Sequence, residues 1–281
     1  MTPRYQGQMI ALLTQHGKEK VIAPVLEPAL GCQVVRVEGF DTDSLGTFTR
    51  DMARVGSQLD AARRKAQVGM ELSGCPVGLA SEGSFGPDPF TGMFSWNIEL
   101  LVLIDRRLGI EITGMAQGPG KSAHLLTGDW SALEAFAMRE GFPAHQLVLR
   151  PAHEDDPRVF KGISDWQSLR SRFDECLALS ANGQVFTELD LRAFANPSRM
   201  QRIGEAASDL LRRLAFPCPA CDAPGYAVVA REPGLPCAAC ATPTSAHRAE
   251  RWQCVRCTHA QVVPRTDLIH ADPQHCPRCN P

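Results

Sequence analysis

Four C-x-x-C pairs crowd into the last 64 residues: Cys218/Cys221, Cys237/Cys240, Cys254/Cys257 and Cys276/Cys279. Each pair can curl around a metal ion as a knuckle, and two knuckles complete the tetrahedral thiolate shell that Zn²⁺ favours. One pair could be a redox dithiol, but four in succession through a Pro- and Gly-rich segment point to two zinc ions. Both shells are then closed, with no coordination position left for a reactive water. The metals therefore hold a fold together, and any catalysis belongs to the first 215 residues.

Gaps of 15, 13 and 18 residues separate the pairs, so intact knuckles can combine in three ways. Cys237-Ala-Ala-Cys240, Pro243-Thr244, a polar strand ending at Arg251-Trp252 and Cys254-Val-Arg-Cys257 together are closest to a zinc ribbon. That favours a nested arrangement, inner pairs on one metal and outer pairs on the other. Pro219 and Pro277 suit tight turns, whereas the glycine that often closes a knuckle is replaced by Asp222, Ala241, Thr258 and Asn280. His247, His259, His270 and His275 read as surface residues, since eight cysteines already fill two sites.

Charge tests whether this tail grips nucleic acid. From Cys218 onward the side chains carry a formal +1, and eight thiolates with two Zn²⁺ bring the module to −3. That is no footprint for phosphates, and it argues against nucleic acid as a partner. The whole chain, 281 residues at net −2 and 44% hydrophobic, has room for one sizeable core plus a small module. It shows no apolar run of membrane-spanning length and no signal h-region at Met9 to Leu13, so a cytoplasmic location without membrane contact is expected. Reduced thiols agree with this, including Cys32, Cys75 and Cys176, whose apolar neighbours suggest burial.

The fold class read from the pattern is α/β, a mixed sheet flanked by helices, with a zinc-ribbon-like module carrying the four knuckles. Strands are expected at Met9 to Leu13, Val34 to Val37 and Val77 to Ala80. A helix over Val21 to Leu30 should be shortened or kinked by Pro24 and Pro28. Ser57 to Leu72 is a strong helix, capped by Ser57 with Asp60 three residues on. Ile98 to Ile104 and Ile110 to Thr113 read as a hairpin, Trp130 to Arg139 and Ser164 to Leu179 as helices, Gln146 to Leu149 and Val185 to Leu189 as strands. The expected domains are 1–150, an α/β domain with a phosphate or metal cleft; 151–216, a helix-rich continuation; and 217–281, the double zinc module.

Two turns should meet at the ends of neighbouring strands. In Thr14-Gln15-His16-Gly17-Lys18, exposed N–H groups, a hydroxyl and a lysine suit phosphate. In the Gly-rich loop Ser81 to Pro87, Glu82 suits Mg²⁺. A third candidate is the segment around Arg192, Asn196 and Arg199, where guanidinium forks beside a helix start suit an anion; its structural counterpart is an Asp190–Arg192 pair. Gly118-Pro-Gly-Lys-Ser122 lacks the first glycine of a P-loop.

H-G-K-E-K (His16 to Lys20), G-F-D-T-D (Gly39 to Asp43), A-S-E-G-S-F-G-P (Ala80 to Pro87) and N-P-S-R-M (Asn196 to Met200) resemble an uncharacterised bacterial family with a zinc-ribbon-like tail. More remotely, the T-x-H-G-K turn, the helix with Lys65-Ala66 and A-S-E-G resemble the inosine/xanthosine triphosphate pyrophosphatase superfamily. That resemblance implies Thr14, His16 and Lys18 on phosphate, Glu82 on Mg²⁺, and a Mg²⁺-dependent hydrolase of a nucleotide or other phosphorylated small molecule. His16 stands where the superfamily has Asn, and one glutamate stands where acidic pairs are common. The contrasting expectation is a non-enzymatic adaptor whose zinc module docks a protein.

Overall fold

The computed structural model describes residues 4–39 and 57–281; most of G-F-D-T-D lies outside them. The chain divides into two compact units, Met1–Asp105 with Thr113–Leu211, and Arg106–Ile112 with Arg212–Pro281. No helix among the described residues is long and apolar enough to cross a membrane.

The first unit begins with alternating strands and helices: β1 (Met9–Leu13), α1 (Glu19–Leu30), β2 (Gln33–Val37), α2 (Gln58–Ser73) and β3 (Val77–Pro87), followed by β4 (Ser95–Asp105) and β5 (Ile110–Pro119). The sheet order is β2-β1-β3-β4-β5, with β1 parallel to both neighbours and β3 antiparallel to β4. Successive crossovers leave β1 in one direction and return over it in the other. Right-handed connections then place α1 and α2 on opposite faces, which makes the gap between β1 and β3 a topological switch point.

Pro24 and Pro28 do not shorten α1, which runs through both from Glu19 to Leu30. Both fall on its exposed side, opposite the buried Ile22, Leu26 and Leu30, so the carbonyls they leave unbonded face water. The capping box of α2 forms as expected: Ser57 Oγ accepts from Asp60 N at 3.2 Å, and Ser57 N donates to Asp60 Oδ2 at 3.2 Å. Small residues on α2 let it lie close to the sheet; a Cβ on Gly78 would collide with Met70 and the Ala66 carbonyl.

A second sheet follows, with β6 (His124–Thr127), β7 (Leu147–Pro151), β8 (Phe160–Ile163) and β9 (Val185–Leu189) in the order β6-β9-β7-β8. One face buries Leu147, Leu149, Val185 and Leu189 against Leu133 and Phe136 of α3 (Trp130–Glu140) and Leu169 and Phe173 of α4 (Trp166–Leu179). Residues 151–216 thus hold α4 and α5 (Pro197–Leu214) together with two strands of this sheet. The four-residue β6 and β8 are too short to show a two-residue period.

The tail carries an antiparallel sheet of β10 (Ala227–Pro233), β11 (His247–Gln253) and β12 (Ala260–Pro264). Its core is small: Trp252 lies 5.8 Å from Phe216 and 5.7 Å from Tyr226, ring centre to ring centre.

Candidate functional site

The eight tail cysteines form two four-sulfur groups, Cys218/Cys221/Cys254/Cys257 and Cys237/Cys240/Cys276/Cys279. Pairing therefore alternates, and the nested arrangement expected from sequence is corrected. Antiparallel pairing explains why. The start of β10 lies beside the end of β11 (Ala227 opposite Gln253), which brings the first knuckle to the third. The second knuckle follows the far end of the hairpin, where Pro233 faces His247. A seven-residue strand spans about 23 Å, so Cys240 and Cys254, at opposite ends of β11, cannot share an ion.

Sulfur separations of 3.8 and 3.6 Å in the first group, and 3.9, 3.6 and 3.4 Å in the second, suit the edges of a tetrahedron with Zn–S of about 2.3 Å, whose edge is about 3.8 Å. Each group could hold one Zn²⁺, two ions in all, and four thiolates would complete each shell. The first two knuckles are copies of one another, Pro217-Cys-Pro-Ala-Cys-Asp-Ala-Pro224 and Pro236-Cys-Ala-Ala-Cys-Ala-Thr-Pro243, a repeat that sequence reading passed over. Each closes with the same bonds: Cys218 N to Ala223 O and Asp222 N to Cys218 O in one, Cys237 N to Thr242 O and Ala241 N to Cys237 O in the other. Asp222 and Ala241 both take φ of 58°, so the backbone turn expected of glycine forms without it.

In the first unit, the candidate residues gather around the β1/β3 switch point. β1 pairs with β3 only at Gly78 and Leu79, which leaves the β3 edge beyond them open to the Thr14–Lys18 turn. Lys18 Nζ donates to Ser81 O at 2.9 Å. Thr14 is buried, and its Oγ1 accepts from His16 N at 3.3 Å. Glu82 is not in a loop, as the sequence suggested, but in the middle of β3, because β4 pairs with it along its whole length. Glu82 faces Leu100 and Gly83 faces Glu99, so the two glutamates point to opposite faces of the sheet. On one face Lys65 of α2 pairs with Glu82. On the other, Arg199 Nε of α5 meets Glu99 Oε1 at 2.6 Å, with Asn97 Nδ2 on the same oxygen at 3.1 Å. Gly83 is required here, since a Cβ would strike both the guanidinium and the Glu99 carboxylate.

Thr14, Lys18, Ser81, Glu82, Asn97, Glu99 and Arg199 are each at most 6% exposed. Burial first, and then the neighbouring Arg199, lower the Lys18 amine to about 7, against the pull of Glu82 and Glu99. Two buried atoms beside Arg199, Glu99 Oε2 and Asn196 Nδ2, have no hydrogen-bond partner among the described residues. Asn196 caps α5 through its other side-chain atom, Oδ1, which accepts from Arg199 N at 3.1 Å. The third candidate segment adjoins the first: His16 stacks on Phe194 at 5.6 Å, and the Arg192 guanidinium lies 4.7 Å from the same ring. Arg192 also forks onto Asp190.

Residues 65–281 match a family described as a domain of unknown function (DUF6671). The chain belongs to this family. No curated protein matches it. The DUF6671 span takes in Lys65, Glu82, Glu99, Arg199 and all eight tail cysteines, while Thr14, His16 and Lys18 precede it.

Lys65, Glu99 and Asn97 are the members of the cluster that sequence reasoning gave no role. The alternating pattern Asn97-Ile-Glu99-Leu-Leu, with polar side chains recurring on one face of an apolar strand, was the available signal. Magnesium does not fit this donor set. It needs several hard oxygens around one point, whereas Glu82 and Glu99 lie on opposite faces, each held by a cation. Lys18, Lys65 and Arg199 against two carboxylates leave one positive charge over when Lys18 is protonated, which suits an anion. Cys176 is inert by contrast, its thiol pushed up to about 12 by burial.

Proposed function

We propose that the first unit binds the phosphates of a small molecule at the β1/β3 switch point and hydrolyses a phosphoanhydride there, with the zinc tail as a structural module. The observation that carries this reading is the gathering of Lys18, Lys65 and Arg199 beside the end of β1, with Lys65 on one face of the sheet and Arg199 on the other, next to the switch point where open α/β sheets take their ligands. Lys18 near neutrality gains a proton when an anion arrives, and Lys65 and Arg199 spread the remaining phosphate charge. The open Glu99 oxygen is the acceptor available to orient a water. The remote resemblance to the triphosphate pyrophosphatases agrees on the phosphate-binding turn and departs on the metal, which that resemblance implies at Glu82.

Calorimetry with tripolyphosphate at about pH 8, in buffers of different ionisation enthalpy, tests the binding step. Uptake of close to one proton is expected, and Lys18→Met should abolish it. A panel of nucleoside triphosphates, followed by phosphate and pyrophosphate release, tests the hydrolytic step. No binding of tripolyphosphate, or equal binding by Lys18→Met, overturns the proposal.

A second reading, the tail as an adaptor, rests on β12: it is an edge strand whose five residues are all exposed, Val262 and Val263 among them. Such an edge accepts an added partner strand. Val262→Pro should then abolish capture of a binding protein while leaving the zinc content intact.

A further inference from the structure

A cavity of about 440 Å³ lies within the first unit, away from the strand switch point. Phe85, from the end of β3, and Phe94 and Ser95, at the start of β4, line one side. The other side includes the face of the second sheet opposite α3 and α4, where His124 of β6 is the cross-strand partner of Glu188 of β9. His124 stacks on Phe186 at 5.5 Å. Asp88 holds the connecting loop rigid, accepting from the N–H groups of Phe90, Thr91, Met93 and Phe94 at 2.7–3.0 Å. Those bonds, that of Phe94 foremost, keep its carboxyl far below the usual range.

The lining chemistry is one-sided. Glu154 and Glu188 contribute carboxylates, and among the described residues no lysine or arginine lines the cavity; Arg150 lies 3.8 Å from Glu188 Oε1. Aromatic walls with carboxylate acceptors suit a flat ring with an exocyclic amino group, whose N–H donors meet a carboxylate where the lone pairs of an exocyclic oxo group oppose it. A phosphate is repelled here. The cavity nevertheless adjoins the cationic cluster, because Leu191 lines it and its carbonyl accepts from Arg199 Nη1 at 2.6 Å. Ser81, Gly83 and Phe85 share one face of β3, and a run of four residues covers about 13 Å. One ligand can thus place phosphates beside Lys18 and Arg199 and its ring beside Phe85.

We propose that this cavity is the ring subsite of the same ligand, and that it selects an amino-bearing base over its oxo counterpart. The inference rests on the phosphate reading above for the other end of that ligand. Calorimetry on the zinc-loaded full chain, with nucleosides that lack phosphate, tests it directly. Adenosine should bind about tenfold more tightly than inosine, and cytidine more tightly than uridine, as expected where a carboxylate acceptor meets an amino donor or opposes a carbonyl. Glu188→Gln should bring each ratio to within about twofold and leave tripolyphosphate binding unchanged. Glu154→Gln, at an exposed position, should narrow the ratios without touching the fold. Equal or inverted preferences, or ratios that survive both substitutions, overturn the subsite. Failure of tripolyphosphate to bind wild type strikes the phosphate reading instead.

Discussion

Lys18 sits at the N-cap of α1 yet its side chain caps nothing; the amine turns to the Ser81 carbonyl. Its value falls from 10.5 to about 7 on folding, so between those limits the unfolded chain holds a proton that the folded chain lacks. Stability owed to this residue therefore rises with pH across that window and is lowest below pH of about 7, where the buried ammonium stays charged. Urea denaturation of wild type and Lys18→Met, from about pH 6 to about pH 10, reads this as a difference: the variant should gain most at the acid end, and the gap should close towards the alkaline end. A gap that does not change with pH would show that Lys18 titrates normally. Ala241 provides a second test. An alanine at φ of 58° suffers the left-handed penalty of about 1–2 kcal/mol, so Ala241→Gly should stabilise the zinc-loaded tail by about 1 kcal/mol, once glycine's greater entropy in the unfolded chain is deducted. Asp222→Gly should gain less, because aspartate tolerates that region better. At this scale the sequence was informative about residue type and less so about company. The cysteines, Lys18, Glu82 and Arg199 announce themselves by chemistry, whereas Lys65 and Glu99 were hidden among the ordinary charges of a helix and a strand.

Elements with a strong local signal were readable in advance. The Ser57 capping box forms with the residues anticipated for it, and Ser57→Ala should lower stability by about 1 kcal/mol. β3 was truncated in the reading because Gly83 and Gly86 resemble turn residues; long-range pairing with β4 overrides that local preference. The knuckle pairing failed for a related reason. Spacing between cysteines counts residues along the chain, but the β10–β11 hairpin decides which ends meet. This yields a test that separates the two pairings. Cys254→Ser should lower the zinc content from two ions to about one, since each shell needs four thiolates, and alkylation followed by mass mapping should then label Cys218, Cys221 and Cys257. Protection of Cys218 and Cys221, with labelling at Cys237 and Cys240, would restore the nested arrangement.

Taken whole, the molecule joins two units stabilised by different means. The first has a conventional interior, with Leu12, Leu79, Leu101, Leu103, Phe136 and Phe173 among the side chains fully withdrawn from water. The second leaves Val229, Val255, Val262, Val263, Leu268 and Ile269 exposed, so apolar burial by itself gives it little to set against the entropy of ordering its chain. Metal bound at the two four-cysteine groups would supply that difference, since thiolates gathered around an ion are gathered only in the folded chain. Stripping zinc with a chelator under reducing conditions should therefore unfold Arg212–Pro281 and leave the first unit standing. Hydrogen exchange would report it region by region: amides of β10, β11 and β12 should lose protection, and those of β1, β3 and β4 should keep theirs. The turn after β4 and the first residues of β5, Arg106–Ile112, belong to the second unit, with Ile112 near Gly225, so their amides should follow the tail although β5 continues into the first sheet. Retained protection throughout the tail after complete zinc removal would show that its own packing suffices.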